Sequence, residues 1–144
     1  NIAWCSGSSN NVLLNKLFIV QKKAMRLISG KKANTHSSLL FKHHKILKMV
    51  DINKLQTLCF VYRSVNNLLP SSFLNYFSLN SDIHEHFTRI SKNIHLIQHR
   101  TLVREFSIKI HGPKIWNEID FEVRNSRTIF AFKKIIKKKL LNAY

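Results

Sequence analysis

In the stretch FSIKIHGPKIWN, residues 106–117, an extended pattern gives way to a break and then a short helix. Phe106, Ile108 and Ile110 alternate with Ser107, Lys109 and His111, the period of a half-buried strand. Gly112-Pro113 predicts a break, because proline lacks the N–H that a ladder or helix interior needs. Ile115, Trp116 and Ile119 predict a short helix beyond it. Residues 94–98 read as a second extended segment, which pairs with the first as a small hairpin around Arg100 and Thr101.

Outward from this stretch the pattern is helical. Ile129, Phe132, Ile136 and Leu140 form the apolar stripe of a last helix, with Ser126 placed to cap it. Lys133, Lys134, Lys137, Lys138 and Lys139 surround that stripe. At the other end, Asn10 and Asn11 are placed to cap a helix from near Val12, whose stripe is Leu13, Leu17, Val20, Ala24 and Leu27. Lys16, Lys22, Lys23 and Arg26 fall largely outside the stripe, and Gly30 ends the helix in a left-handed conformation. Residues 35–38 predict a cap for a short helix of Leu39, Leu40 and Phe41. Asp51 is expected to cap a helix lined by Ile52, Leu55, Leu58, Cys59, Tyr62 and Val65. Pro70 stops that helix, and Ser71 or Ser72 caps a turn through Phe73, Leu74 and Phe77. Residues 78–93 are polar and mixed, the best loop in the chain. The expected fold is mostly α with a small β-hairpin: residues 1–77 a helical half, and residues 78–144 a loop, the hairpin and C-terminal helices, joined by one core.

Composition bounds the function. A chain of 144 residues, 44% hydrophobic, with ten Phe and three Gly, has enough apolar mass for a single packed domain. Lys and Arg total 24 against seven Asp and Glu, a net charge of +17. The first acid is Asp51 and the last is Glu122, so both ends are cationic. Such a charge repels itself unless a polyanion is near, and nucleic acid is the foremost partner. An acidic membrane surface is the second, and the competing reading is a merely solvated surface, which would carry mixed signs. No apolar run approaches the roughly 18 residues of a membrane span, and no secretory signal is visible. Cys5 and Cys59 form no C-x-x-C pair, so neither a zinc site nor a disulfide framework is indicated, and two free thiols suit a reducing compartment. The chain begins with Asn1, which reads as a piece or truncated copy of a longer protein.

The residues that carry chemistry elsewhere are sparse here. Two-metal catalysis needs clustered carboxylates. Glu118, Asp120 and Glu122 are close in sequence, but their neighbours suggest a polar turn. His84 and His86, and His95 and His99, lack the third ligand and the H-E-x-x-H spacing of a zinc enzyme. No nucleophile elbow and no Gly-rich phosphate loop is present. What remains is a set of Arg89, Lys92, Arg100, Arg104 and Lys109 interleaved with Tyr76 and Phe87. Arg with aromatic side chains suits phosphate clamping and base stacking; the competing reading places Phe87 and Trp116 in the core and the arginines on backbone carbonyls.

Several of these runs share an order with a known family. Gly112-Pro113-Lys114-Ile115-Trp116-Asn117 resembles the GPxxWN signature near the C-terminal end of LINE-type (non-LTR) retrotransposon reverse transcriptases. Residues 17–30, LFIVQKKAMRLISG, resemble that family's LxxLQKRAIRIIxG helix. Residues 36–51 resemble its H-x-x-x-LF…IL-x-L-x-D stretch, Leu69-Pro70 with Phe73 its LPxxF turn, and residues 86–89 its H-x-TR element. Arg100-Thr101 and residues 106–108 lead into the GPxxWN run as they do there, and Phe132 with Leu140-Leu141 matches its closing FKxxLKxxLL helix. Asp120 stands where the family often has Pro, which points to a divergent or decayed copy.

The resemblance implies a single C-terminal accessory domain, residues 1–144, lying after the polymerase palm. The parent would be an RNA-directed DNA polymerase that needs Mg and copies element RNA at a nicked target. This part would hold RNA template or target DNA without a catalytic site, metal or cofactor of its own. Its expected contacts are Lys16, Lys22, Lys23, Arg26, Lys133, Lys137 and Lys138 on phosphates, with Arg89, Arg100 and Arg104 closer in. Its expected partners are nucleic acid and the upstream polymerase domains, not a membrane, in nucleus or cytoplasm. A structural brace for the polymerase, a non-functional element copy and a basic nuclease are the rivals.

Overall fold

The computed structural model describes residues 11–86 and 88–144, so the expectations for Asn10 and Phe87 lie outside the described residues. The described chain is mostly helical: α1 Asn11–Ile28, α2 Ser37–His43, α3 Met49–Val65, α4 Leu102–Glu105, α5 Ile108–Asn117, α6 Phe121–Arg124 and α7 Ile129–Asn142. Two 3-10 turns, Ser71–Phe73 and Asn80–Asp82, punctuate the connection between α3 and α4.

The hairpin is absent from the described residues. Residues 106–110 lead into and open α5, which runs on through Gly112-Pro113. Ile110, Gly112, Pro113, Ile115 and Trp116 are all buried, so α5 is covered around most of its circumference. A helix buried on several sides has no single apolar stripe, and its first turn then imitates strand alternation. Gly112 sits where α5 meets α3: a Cβ there would lie 3.0 Å from Val61 Cγ2. Pro113 removes one helical N–H but buries its ring in the interior.

The other proposed strand has a different partner. Residues 94–98 carry no helix, and the ladder amounts to one antiparallel bridge between Leu79 and Ile94. Ile94 is held by the Asn117 side chain at the end of α5. Its N–H donates to Asn117 Oδ1 at 3.0 Å, and its carbonyl accepts from Asn117 Nδ2 at 2.8 Å. One carboxamide thus supplies both groups of a missing neighbouring strand.

Gly30 ends α1 as expected, whereas several other helix ends differ from expectation. Gly30 at φ 59 closes α1, with Lys31 N–H on the Arg26 carbonyl and Gly30 N–H on the Leu27 carbonyl, a Schellman pattern. The N-cap of α2 is His36, without a side-chain cap. Thr128, not Ser126, caps α7, accepting from Ala131 N–H at 3.2 Å, while Ser126 Oγ donates to the Val123 carbonyl. Asp51 lies in the first turn of α3, and Lys48 is its N-cap. Lys48 N–H donates to Tyr144 Oη at 2.8 Å, and that hydroxyl donates to Asp51 Oδ2 at 2.5 Å. Met49 N–H donates to Gln21 Oε1. The start of α3 is therefore closed by α1 and by the last residue of the chain.

The core joins both ends of the sequence. Leu55, Leu58, Val61 and Tyr62 of α3 pack with Ile115 and Trp116 of α5 and Phe132 and Ile136 of α7. Tyr62 stacks on Phe132 at 4.7 Å between centroids, and its hydroxyl donates to the Ser126 carbonyl. Beside this cluster, Phe18 stacks on Phe41, and Phe41 meets Tyr144 edge-on.

The face α1 buries is not the one its stripe predicted. Met25 is 2% exposed and Phe18 and Gln21 are half-buried, whereas Leu17, Val20, Ala24 and Leu27 are exposed, Leu27 at 81%. The stripe is real, but the scaffold leaves most of it open.

Candidate nucleic-acid interface

The last helix shows how a buried stripe orders a charged one. Phe132 and Ile136 are locked in the core, with Ile129 and Leu140 half-buried beside them, and this sets the rotation of α7. The flank beside that stripe presents Lys133, Lys134 and Lys137, all exposed. Phe130 stands three, four and seven residues before them, on the same side of the helix. It is 82% exposed, the most open of the large apolar residues described. Lys138, also exposed, falls about 100° further round the helix.

Phe130 and Lys133 border a groove of about 450 Å³ between α3 and α7. Ile52, Leu55, Cys59 and Ile129 make it apolar, Phe60 adds an aromatic ring, and Arg63 joins Lys133 as its cations. Burial pushes the Cys59 thiol above its usual range, with Lys133 and Arg63 pulling it back. Positive charge therefore sits close over a partly desolvated lining. Phe130 and Arg63 were not among the residues singled out from sequence, and Lys134 was named only among the lysines around the α7 stripe. The signal for Phe130 was present, as an aromatic off the apolar stripe and among lysines. Arg63 had none, because its neighbourhood with α7 is tertiary.

The remaining predicted contacts divide. Lys16 and Lys23 are exposed on α1. Lys22 lies over the Phe18 ring at 4.2 Å, and Arg26 Nε donates to the Thr35 carbonyl, so both have internal partners. Arg100 and Arg104 line one concavity of about 380 Å³ with Gln98, His99 and Thr101. Arg89 is exposed and lines neither concavity. Lys92 and Lys109 lie over the rings of Phe121 and Tyr76. Trp116 is core, 5.6 Å from Phe132.

The acids are dispersed into internal pairs. Glu105 bonds Lys114 at 2.8 Å and faces His99, Glu118 faces Lys54 at 3.6 Å, and Asp120 pairs with Lys139. The neighbouring lysines hold Glu105 and Asp120 below the usual carboxylate range. Glu118 and Asp120 thus turn to different lysines. Among the described residues, no group of three or more His, Cys, Asp or Glu is placed to hold a metal ion. No described helix is long and apolar enough to cross a membrane. Comparison with protein-family models, with curated proteins and with solved structures yields no match.

Proposed function

We propose that this chain is a nucleic-acid-holding module, without a catalytic centre of its own, that belongs after the palm of a retrotransposon-type reverse transcriptase. Exposed Phe130 among Lys133, Lys134 and Lys137 is the observation that carries the binding half of this reading. Leaving a phenyl ring in water forfeits burial energy, and a polyanion with stackable bases recovers it while neutralising the lysines. The net charge of +17 supplies the long-range attraction, and the ordered motifs supply the parent polymerase. RNA template or target DNA is the ligand, and Mg serves the upstream palm.

Titration of the chain with a labelled oligonucleotide over a range of salt tests this. Five neutralised phosphates give a log-log slope of about −4.5. Lys133→Gln with Lys137→Gln flattens the slope by about 2. No association at low salt, or a slope that ignores these lysines, overturns the proposal.

A second reading rests on α1. Leu17, Val20, Leu27 and Ile28 are exposed along one side of it, as expected of a brace that buries its first helix against another polymerase domain. Glutamine substitutions at Val20 and Leu27 separate the two readings. A brace loses its self-association or its grip on the polymerase, while nucleic-acid affinity stays.

A further inference from the structure

We infer that the groove between α3 and α7 receives an unpaired base, so that the nucleic acid this module prefers is single-stranded. The inference rests on the proposed function and narrows it. Its argument starts from the mixed character of the groove. The lining is apolar and aromatic, from Ile52, Leu55, Cys59, Phe60 and Ile129, while Arg63 and Lys133 are cationic and Phe130 stands open. A phosphate alone has no use for the apolar part, and a neutral apolar ligand has none for the cations. A nucleotide satisfies both, with a flat apolar base joined to an anion.

The size fits as well. About 450 Å³ lies within the range of roughly 300–1,000 Å³ typical of small-ligand sites, room for a base and part of its sugar. In a duplex both faces of each base are stacked, and extracting one costs a few kcal/mol. A single strand offers its bases without that cost. Phe130 supplies the stacking face, Phe60 a second aromatic within the groove, and Lys133, Lys137 and Arg63 meet the flanking phosphates. An exposed aromatic amid cations is what sequence-tolerant single-strand binding requires.

The test compares oligo(dT) with a duplex of equal length, using the full chain at fixed salt. The single strand binds more tightly. Phe130→Ala weakens it roughly 5- to 100-fold, as loss of one stacked base would, and leaves the duplex within about twofold. Phe130→Tyr restores single-strand binding. The phenyl group is exposed, so Phe130→Ala melts where the parent does, which a thermal scan checks. A 5-iodouracil oligonucleotide, irradiated in the complex, forms its adduct at Phe130 or Phe60. Equal binding of strand and duplex, indifference to Phe130→Ala, or an adduct confined to other residues overturns the inference, and the proposed function then stands or falls on the salt slope and its dependence on Lys133 and Lys137. Failure of both nucleic acids to bind removes that function itself. Binding of anionic vesicles in a Phe130-dependent manner, with no oligonucleotide bound, assigns the groove to an acyl chain instead.

Discussion

Asn117 shows how one side chain replaces an element. Its carboxamide satisfies the N–H and carbonyl of Ile94, which is 1% exposed, and so pins the segment after the loop to the end of α5. Asn117→Ala leaves two buried backbone groups unpaired, at a cost of about 2–3 kcal/mol. The denaturation midpoint falls accordingly, and the Ile94 amide loses its protection from hydrogen exchange. Retained protection would mean that Ile94 is held by something else. Every residue quoted from the GPxxWN run has such an internal role. Gly112 admits Val61, Pro113 and Trp116 are buried, and Asn117 clamps Ile94. The motif is accounted for by packing, and the proposed nucleic-acid contacts lie elsewhere.

At the scale of elements, the start of α3 is the instructive case. Tyr144 Oη takes the N–H of the N-cap Lys48 and passes its own proton toward Asp51, a capping box with a tyrosine inserted between its members. Tyr144→Phe keeps the ring against Phe41 and removes only this relay, so it costs about 1–2 kcal/mol. Alkaline pH has a signed effect. Burial and the bond to Asp51 push the Tyr144 hydroxyl above its ordinary value. The stability this contributes is complete below the unfolded value of about 10 and is lost as pH climbs toward the higher folded one. The parent protein therefore loses stability above pH ~10 more steeply than Tyr144→Phe, as urea melts at successive pH values reveal. Parallel curves for the two would show that the hydroxyl is not protected by folding. The helix stripes tell a related story. On α7 the apolar stripe is the buried one, whereas on α1 the scaffold takes Phe18, Gln21 and Met25 and leaves Leu17, Val20 and Leu27 outside. Gln21 is needed at the start of α3, where it meets both Met49 N–H and the Leu47 carbonyl, and that fixes the rotation of α1.

For the whole molecule, net charge dominates. The internal pairs of Glu105, Glu118 and Asp120 take up Lys114, Lys54 and Lys139, against a total of 24 lysines and arginines. The rest repel one another in the folded state more than in the expanded chain. The melting temperature therefore rises with added salt, through screening, and rises further with a short polyanion at constant ionic strength, through binding. Calorimetry in sodium chloride, with and without oligo(dT), separates the two. A melting temperature that falls with salt would show that attractive pairs outweigh the repulsion.

Legible from the residues alone were the mostly helical fold, the stripe and cationic side of α7, the stop at Gly30 and the excess of positive charge. These follow from short-range periodicity, backbone preference and simple counting. That residues 108–117 form a continuous helix was settled by tertiary packing, because burial on several sides erases the period that would announce it. It alone decided which side of α1 faces inward and which groups close α3, because Asp51 and Tyr144 meet across 93 residues of chain. It also brought Arg63 beside Phe130 and Lys133 around one groove, a neighbourhood between two helices that no spacing along the chain encodes.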